Sequence, residues 1–185
     1  MNFEYYMPTK VVMGRDCVKK QAGLLAPLGR HALIVTGRSA EENGALDDVL
    51  FALGANGQQA TVFCRVTPNP GIPCIREGIA LLKSAGADFV VAIGGGSPMD
   101  AAKAIALLSV QERTDEHIFD GGYAPEALPM AHIPTTAGTG SEVTPYSVLT
   151  NDVRQTKTSL SSPALFPRVA FLDGKYMARL SPEIS

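Results

Sequence analysis

Three consecutive glycines, Gly94, Gly95 and Gly96, interrupt an apolar run and are followed by Ser97, Pro98 and Asp100 in the stretch FVVAIGGGSPMDAAKAIALLS. Residues 89–93 are apolar and β-branched, the composition of a strand buried on both faces of a parallel sheet. Ser97 suits an N-cap, Pro98 a first helical position, and Asp100 the carboxylate of a capping box, so the spacing predicts a helix through Leu108. A glycine turn that opens a helix points backbone N–H groups along the positive end of the helix dipole, with no Cβ atoms to keep an anion away. That chemistry suits a phosphate or pyrophosphate. The alternative is a tight strand-to-helix connection without a ligand. The spacing fits neither G-x-G-x-x-G nor the P-loop, which requires a lysine that is absent here.

Residues 134–147, PTTAGTGSEVTPYS, form a second chemically suggestive stretch. It is too polar for a core strand and too poor in Lys and Glu for an ordinary solvated loop. It reads either as a turn rich in Ser and Thr, or as a lining of hydroxyl and backbone donors for the ribose and phosphates of a nucleotide. Gly37, Arg38 and Ser39 follow the apolar run at 32–36, and Asn69 stands in the turn cluster TPNPG after residues 61–66.

Alternating strands and helices must position these loops. Residues 3–13 read as an extended edge or hairpin containing Pro8, and 16–28 as a short amphipathic helix closed near Gly29. Residues 32–36 and 61–66 read as strands, and 44–53 as a helix stopped at Gly54. The spacing of Ile75, Ile79 and Leu82 predicts a helix over 72–85, with Gly86 as its stop. Residues 111–129 read as a surface excursion, 130–133 as a strand, and 148–150 with 156–160 as a hairpin carrying Lys157, which otherwise reads as a solvated edge-strand lysine. Residues 169–172 are the last strand, and Ser181, Pro182 and Glu183 resemble a first helical turn. This order predicts an α/β fold, a Rossmann-like, mostly parallel sheet with flanking helices whose ligands gather at the carboxyl ends of the strands.

With 185 residues, 45% hydrophobic and 18% charged, the chain is expected to build one globular domain. A net charge of −2 gives no electrostatic reason to expect nucleic acid, and no apolar run is long enough to span a membrane. The first residues lack a signal-peptide pattern, so cytoplasmic localisation is expected. Cys17, Cys64 and Cys74 are read as reduced packing residues, and His31, His117 and His132 show no metal-ligand spacing.

The two motifs GGGSPMDAAK and PTTAGTGSEVTP, together with Asn69-Pro70 and the strand ending at Asp173, resemble the iron-containing (group III) alcohol dehydrogenases over nearly the whole chain. The resemblance implies an NAD(P)-dependent alcohol dehydrogenase or aldehyde reductase acting on a small alcohol, diol or aldehyde. Its N-terminal dinucleotide-binding domain, of the type shared with dehydroquinate synthase, would span residues 1–178. Residues 179–185 would begin a C-terminal helical domain that holds Fe2+ or Zn2+ through one Asp and three His, ligands that this chain ends before reaching. No catalytic residue is therefore assigned here. Gly174 stands where relatives usually have Pro.

By the same resemblance Gly95, Gly96 and Ser97 hold the pyrophosphate, and Asp100 approaches the nicotinamide carboxamide. Thr135, Thr136 and Thr139 contact the adenosine and phosphates, and Asn69 and Lys157 the riboses. Many NAD-preferring relatives carry Asp where this chain has Gly37, and Arg38 and Ser39 offer a guanidinium and a hydroxyl to a 2′-phosphate, so NADP is expected over NAD. Glu41 and Glu42 argue the other way, and Arg38 also reads as a solvated loop residue. The resemblance also implies a homodimer or higher oligomer for the complete protein, in which relatives use the edge at residues 3–13 for subunit contact. The competing readings are a non-catalytic nucleotide-binding module and a dehydroquinate synthase-like lyase domain.

Overall fold

The computed structural model describes residues 2–37, 39–152 and 156–178. Eight strands are present among them: β1 (Lys10–Met13), β2 (His31–Thr36), β3 (Gln59–Phe63), β4 (Phe89–Gly94), β5 (Met130–Pro134), β6 (Tyr146–Asn151), β7 (Thr156–Ser161) and β8 (Val169–Leu172). The helices are α1 (Cys17–Lys20), α2 (Ser39–Glu42), α3 (Ala45–Ala55), α4 (Ile72–Ala85) and α5 (Gly96–Leu108). Six strands make one parallel sheet in the order β1-β8-β5-β4-β2-β3, and β6 and β7 pair separately as an antiparallel hairpin.

Alternation along the central strands assigns their side chains to two cores. Leu33, Val35, Val90 and Ala92 face Ile75 and Ile79 of α4 and Ile105 of α5, together with Leu149 and Leu160 of the hairpin. Ala32, Ile34, Val91 and Ile93 face Leu46, Val49 and Leu53 of α3, with Val18 and Leu25 before β2. Because β4 is buried along its whole length, its sequence carries no polar alternation. Helix α5 touches the sheet, α4 and β6, so it too is buried nearly all round.

Chain order makes β2 the turning point of the sheet. It pairs with β3 on one side and β4 on the other, while α3 and α4, which flank β3 in sequence, pack on opposite faces. The loops that leave the carboxyl ends of β2 and β4 therefore diverge, and a crevice opens between them.

Helix α4, strand β8 and the hairpin pairing agree with the sequence reading, and Gly86 caps α4 in the left-handed region. Other boundaries differ. Residues 16–28 fold as α1, which ends at Lys20 ahead of Gly23, and two 3-10 turns rather than one helix, and Pro27 opens the second of these turns. Helix α3 runs through Gly54, which only weakens a helix, and α2 begins at Ser39 where a loop was expected. Strand β3 starts at Gln59, opposite His31, because an edge strand extends only where its neighbour offers a ladder. Of residues 3–13 only β1 is regular, and it pairs parallel with β8 rather than folding back as a hairpin. The expected helical turn at Ser181–Glu183 lies outside the described residues. No described helix is long and apolar enough to cross a membrane.

Candidate functional site

The crevice is walled on one side by the end of β2. Thr36 Oγ1 donates to Ile93 O at 2.9 Å, which ties the ends of β2 and β4 together just before their loops part. Gly37 stands at the mouth, and a Cβ placed on it would meet Val66 O at an ordinary 3.5 Å. Nothing steric requires glycine there. Arg38 and the side chain of Ser39 lie outside the described residues.

The other wall is the glycine turn. Gly94 has φ 144, and a Cβ on it would stand 2.7 Å from Pro98 Cγ, so this position admits only glycine. Gly95, extended at φ −83, is the N-cap, and α5 begins at Gly96. The expected cap at Ser97 is therefore displaced by two residues. Ser97 Oγ instead accepts the Asn69 N–H at 3.3 Å, because the glycines enter the helical turn before the serine is reached. No acidic residue lies in the first turn of α5, so its open N–H groups at Gly96 and Ser97 face no competing carboxylate.

The hydroxyl-rich stretch lies directly against this turn. Thr135 N–H donates to Gly94 O at 2.9 Å, which prolongs the β4–β5 pairing by one bond and leaves Thr135 itself buried. A Cβ on Gly95 would stand 3.0 Å from Thr136 Oγ1, and one on Gly96 would stand 3.1 Å from Thr139 Cγ2. The bare backbone of the glycine turn is thus matched to the two threonines across from it.

Asn69 closes the third side. It adopts the left-handed conformation at φ 55, which suits asparagine. Its N–H reaches Ser97 Oγ, and its carbonyl accepts from Thr150 Oγ1 at 3.0 Å. Asn69 therefore links the glycine turn to β6. Lys157 is exposed on β7 directly across from Thr150, on the outer face of the hairpin.

Asp100 does not complete a capping box. Its Oδ1 accepts from Ser141 Oγ at 2.7 Å, and its own carbonyl accepts from Ser147 Oγ at 2.7 Å. Burial pushes its carboxyl above the usual range, against the pull of the Ser141 hydroxyl and the Lys103 ammonium. Lys103 is fully buried, with Nζ 3.0 Å from Ser141 Oγ, 2.7 Å from Thr144 O and 2.8 Å from Tyr146 O. Burial lowers its pKa to about 8, although Asp100 and Glu142 favour the charged form. Sequence reasoning assigned Lys103 and Ser141 no individual role. The available signal was a single charge inside the otherwise apolar run AAKAIALL, residues 101–108.

The structure thus gathers Gly95, Gly96, Ser97, Asn69, Thr136 and Thr139 around one crevice, with Gly37 at its edge, Thr135 behind it and Lys157 on the outer rim. Past Thr136 an open cleft of about 810 Å³ continues over the carboxyl ends of β5, β8 and β1. Lys175 on its far wall is neutralised by Asp16 and Asp48, each 2.5 Å from its ammonium. Among the described residues no group of three His, Cys, Asp or Glu side chains is placed to hold a metal ion.

A parallel sheet whose glycine-opened helix and hydroxyl loop converge at its turning point defines a Rossmann-like nucleotide-binding α/β domain. The chain belongs to the iron-containing alcohol dehydrogenase family, which residues 8–174 match. It is 36% identical over 174 residues to a probable NADH-dependent butanol dehydrogenase of Bacillus subtilis, covering 93% of this chain and 45% of that protein. Its fold superposes on an iron-containing alcohol dehydrogenase of Thermotoga maritima with TM-score 0.91 at 40% identity, covering 99% of this chain and 51% of the other. A sulfoacetaldehyde reductase of Bifidobacterium kashiwanohense, solved with NAD+, gives TM-score 0.89 at 31% identity, covering 100% and 49% of the two chains. The chain spans about half the length of the relatives it matches.

Proposed function

We propose that this chain is the dinucleotide-binding part of an NAD(P)-dependent alcohol dehydrogenase or aldehyde reductase acting on a small alcohol, diol or aldehyde. The observation that carries the reading is the close fit between the backbone of Gly95 and Gly96 and the side chains of Thr136 and Thr139 at the turning point of the sheet. In this reading the N–H groups at the start of α5 hold the pyrophosphate, and Thr136 and Thr139 donate to the phosphates and adenosine side. Asn69, fixed by Ser97 and Thr150, meets a ribose, and Lys157, across the hairpin from Thr150, is assigned to the riboses as well. Asp100 orients the carboxamide. The bound nicotinamide supplies the hydride acceptor or donor, and this chain contributes the position in which it is held. The divalent iron or zinc that the resemblance implies would be held by one Asp and three His of a C-terminal domain, none of them among residues 1–185.

The same reading favours NADP(H). NAD sites commonly place a carboxylate near the ribose 2′-hydroxyl; the resemblance implies that the discriminating position follows β2, and here Gly37 occupies it. The Bacillus relative is named for NADH, so dissociation constants must decide. Because a side chain fits at Gly37, Gly37→Asp is a clean variant. Fluorescence titration is expected to show roughly tenfold tighter NADPH than NADH binding in the unmodified protein, and loss of that preference in the variant. Equal or tighter NADH binding at the outset would overturn the preference.

A homodimer is also proposed. Strand β1 is a sheet edge that exposes Val11 and Met13, and Phe3, Tyr5 and Tyr6 before it are exposed as well. Such a strand offers unpaired backbone groups beside apolar surface to a second copy. Light scattering on the complete protein is expected to give at least twice its monomer mass, and the mass of one chain would refute the assembly.

A further inference from the structure

We infer that Lys103 is a positioning residue for the nucleotide site: it anchors the segment Ser141–Tyr146 to helix α5 and, through Ser141, orients Asp100. The inference rests on the dinucleotide reading above and adds to it the group that holds one wall in place.

The donor and acceptor count leads to this role. An ammonium has three protons, and Lys103 Nζ has three acceptors within 3.0 Å in Ser141 Oγ, Thr144 O and Tyr146 O, with Thr144 Oγ1 farther off at 3.4 Å. Ser141 Oγ has one proton, which it gives to Asp100 Oδ1, so toward Lys103 it can only accept. The direction of the chain is therefore fixed: Lys103 donates to Ser141, and Ser141 donates to the Asp100 carboxylate. The hydroxyl bridges a buried cation and a buried anion that stand one turn apart on α5, and each charge offsets part of the other's desolvation. Ser147 Oγ also donates to the Asp100 carbonyl, and Lys103 donates to the Tyr146 carbonyl, so the helix grips the start of β6 at two points.

The threonine wall lies between two anchors. On one side Thr135 is bonded to Gly94 O, and on the other Ser141, Thr144 and Tyr146 are bonded to Lys103. Thr136 and Thr139, which oppose Gly95 and Gly96, hang between them. Without the second anchor Ser141 and Thr144 lose their bonds to Lys103, and the next ties beyond the threonines are the Ser141 bond to Asp100, the Pro145 carbonyl and the Ser147 hydroxyl. Asp100, Glu142 and His132 are the titratable groups that act on the lysine or feel it. His132 is held neutral, leaving the two carboxylates to balance the ammonium. A neutral amine has two protons for the three acceptors, so deprotonation near pH 8 releases one contact of the segment.

The experiment compares the unmodified protein with Lys103→Met, Ser141→Ala and the double variant. NADPH and NADH dissociation constants are measured from pH 6.5 to 9.5, together with hydrogen–deuterium exchange without nucleotide. Lys103→Met is expected to bind roughly tenfold more weakly at pH 7. Its affinity should no longer change through pH 8, where that of the unmodified protein declines. The double variant is expected to be no weaker than Lys103→Met, since both changes break one chain. Amides of residues 136–146 are expected to exchange faster in Lys103→Met, while those of β2 and α3 stay unchanged. Unmodified affinity in Lys103→Met, a retained pH profile, or unchanged exchange in residues 136–146 would each overturn the inference. If Lys103→Met does not fold, the exchange of Ser141→Ala and the pH profile of the unmodified protein decide. If the unmodified protein binds neither dinucleotide, the proposed function fails, and the exchange measurement still judges the anchor.

Discussion

Gly95→Val is expected to lower dinucleotide affinity by about a hundredfold or more, near 3 kcal/mol, while the protein remains folded. The backbone at Gly95 is extended, at φ −83 and ψ −160, so valine meets no conformational barrier there. The effect comes from space. The first atom of the new side chain would sit 3.0 Å from Thr136 Oγ1, and its two methyl groups would fill the gap between the turn and the threonine loop. Thr136 has little freedom to retreat, because the preceding residue is bonded to Gly94 O. An anion approaching α5 would then meet methyl groups in place of bare N–H donors, and those donors would lose hydrogen bonds to a charged partner. Titration with NADPH and NADH, beside thermal unfolding, separates lost binding from lost structure. Affinity within threefold of the unmodified protein would show that glycine serves the turn alone.

The second large effect concerns His132, which is fully buried on β5 between Ala92 and Ala170 of the neighbouring strands. Neither ring nitrogen has a hydrogen-bond partner among the described residues. Burial, and after it the nearby Lys103 ammonium, holds its pKa well below the usual histidine value. The sign follows from proton counting. Below about pH 6.5 the unfolded chain takes up a proton here that the folded protein refuses, so stability falls as pH falls. Each proton contributes about 1.4 kcal/mol per pH unit, or about 2 kcal/mol between pH 6.5 and pH 5. His132→Leu removes that slope. It also removes two buried polar atoms without partners, so it is expected to raise stability at pH 7 by about 1 kcal/mol or more. Urea unfolding at pH 5, 6 and 7 checks both statements. Parallel pH profiles for the two proteins would show that the histidine does not carry the acid sensitivity.

The parts of the fold that were legible are those in which a short run of residues decides its own conformation. The periodicity of Ile75, Ile79 and Leu82, closed by Gly86, defined α4 to the residue. The apolar runs of β2, β4 and β8 each announced a buried strand. The glycines at 94–96 and the threonines at 135–139 showed in one dimension that two loops lacked ordinary side-chain chemistry, and the sheet brings those loops together. Boundaries failed where a neighbour decided them, as in β3, which begins where β2 offers a partner.

Tertiary structure alone settled the roles of the polar residues inside. Ser97 and Asp100 have the sequence spacing of a capping pair, yet the helix begins before them and their partners are the Asn69 amide and Ser141. Lys103 could be seen as a charge in an apolar helix, but its acceptors lie 38 to 43 residues further along the chain. His132 fits its strand by pattern, and only the packing of α5 and the adjoining strands leaves it neutral and unpartnered. Periodicity reports which way a side chain points. What a buried polar group meets there depends on segments brought in from elsewhere in the chain, and because an unmet group in the interior carries a penalty of kilocalories, those distant partners determine its charge and its function.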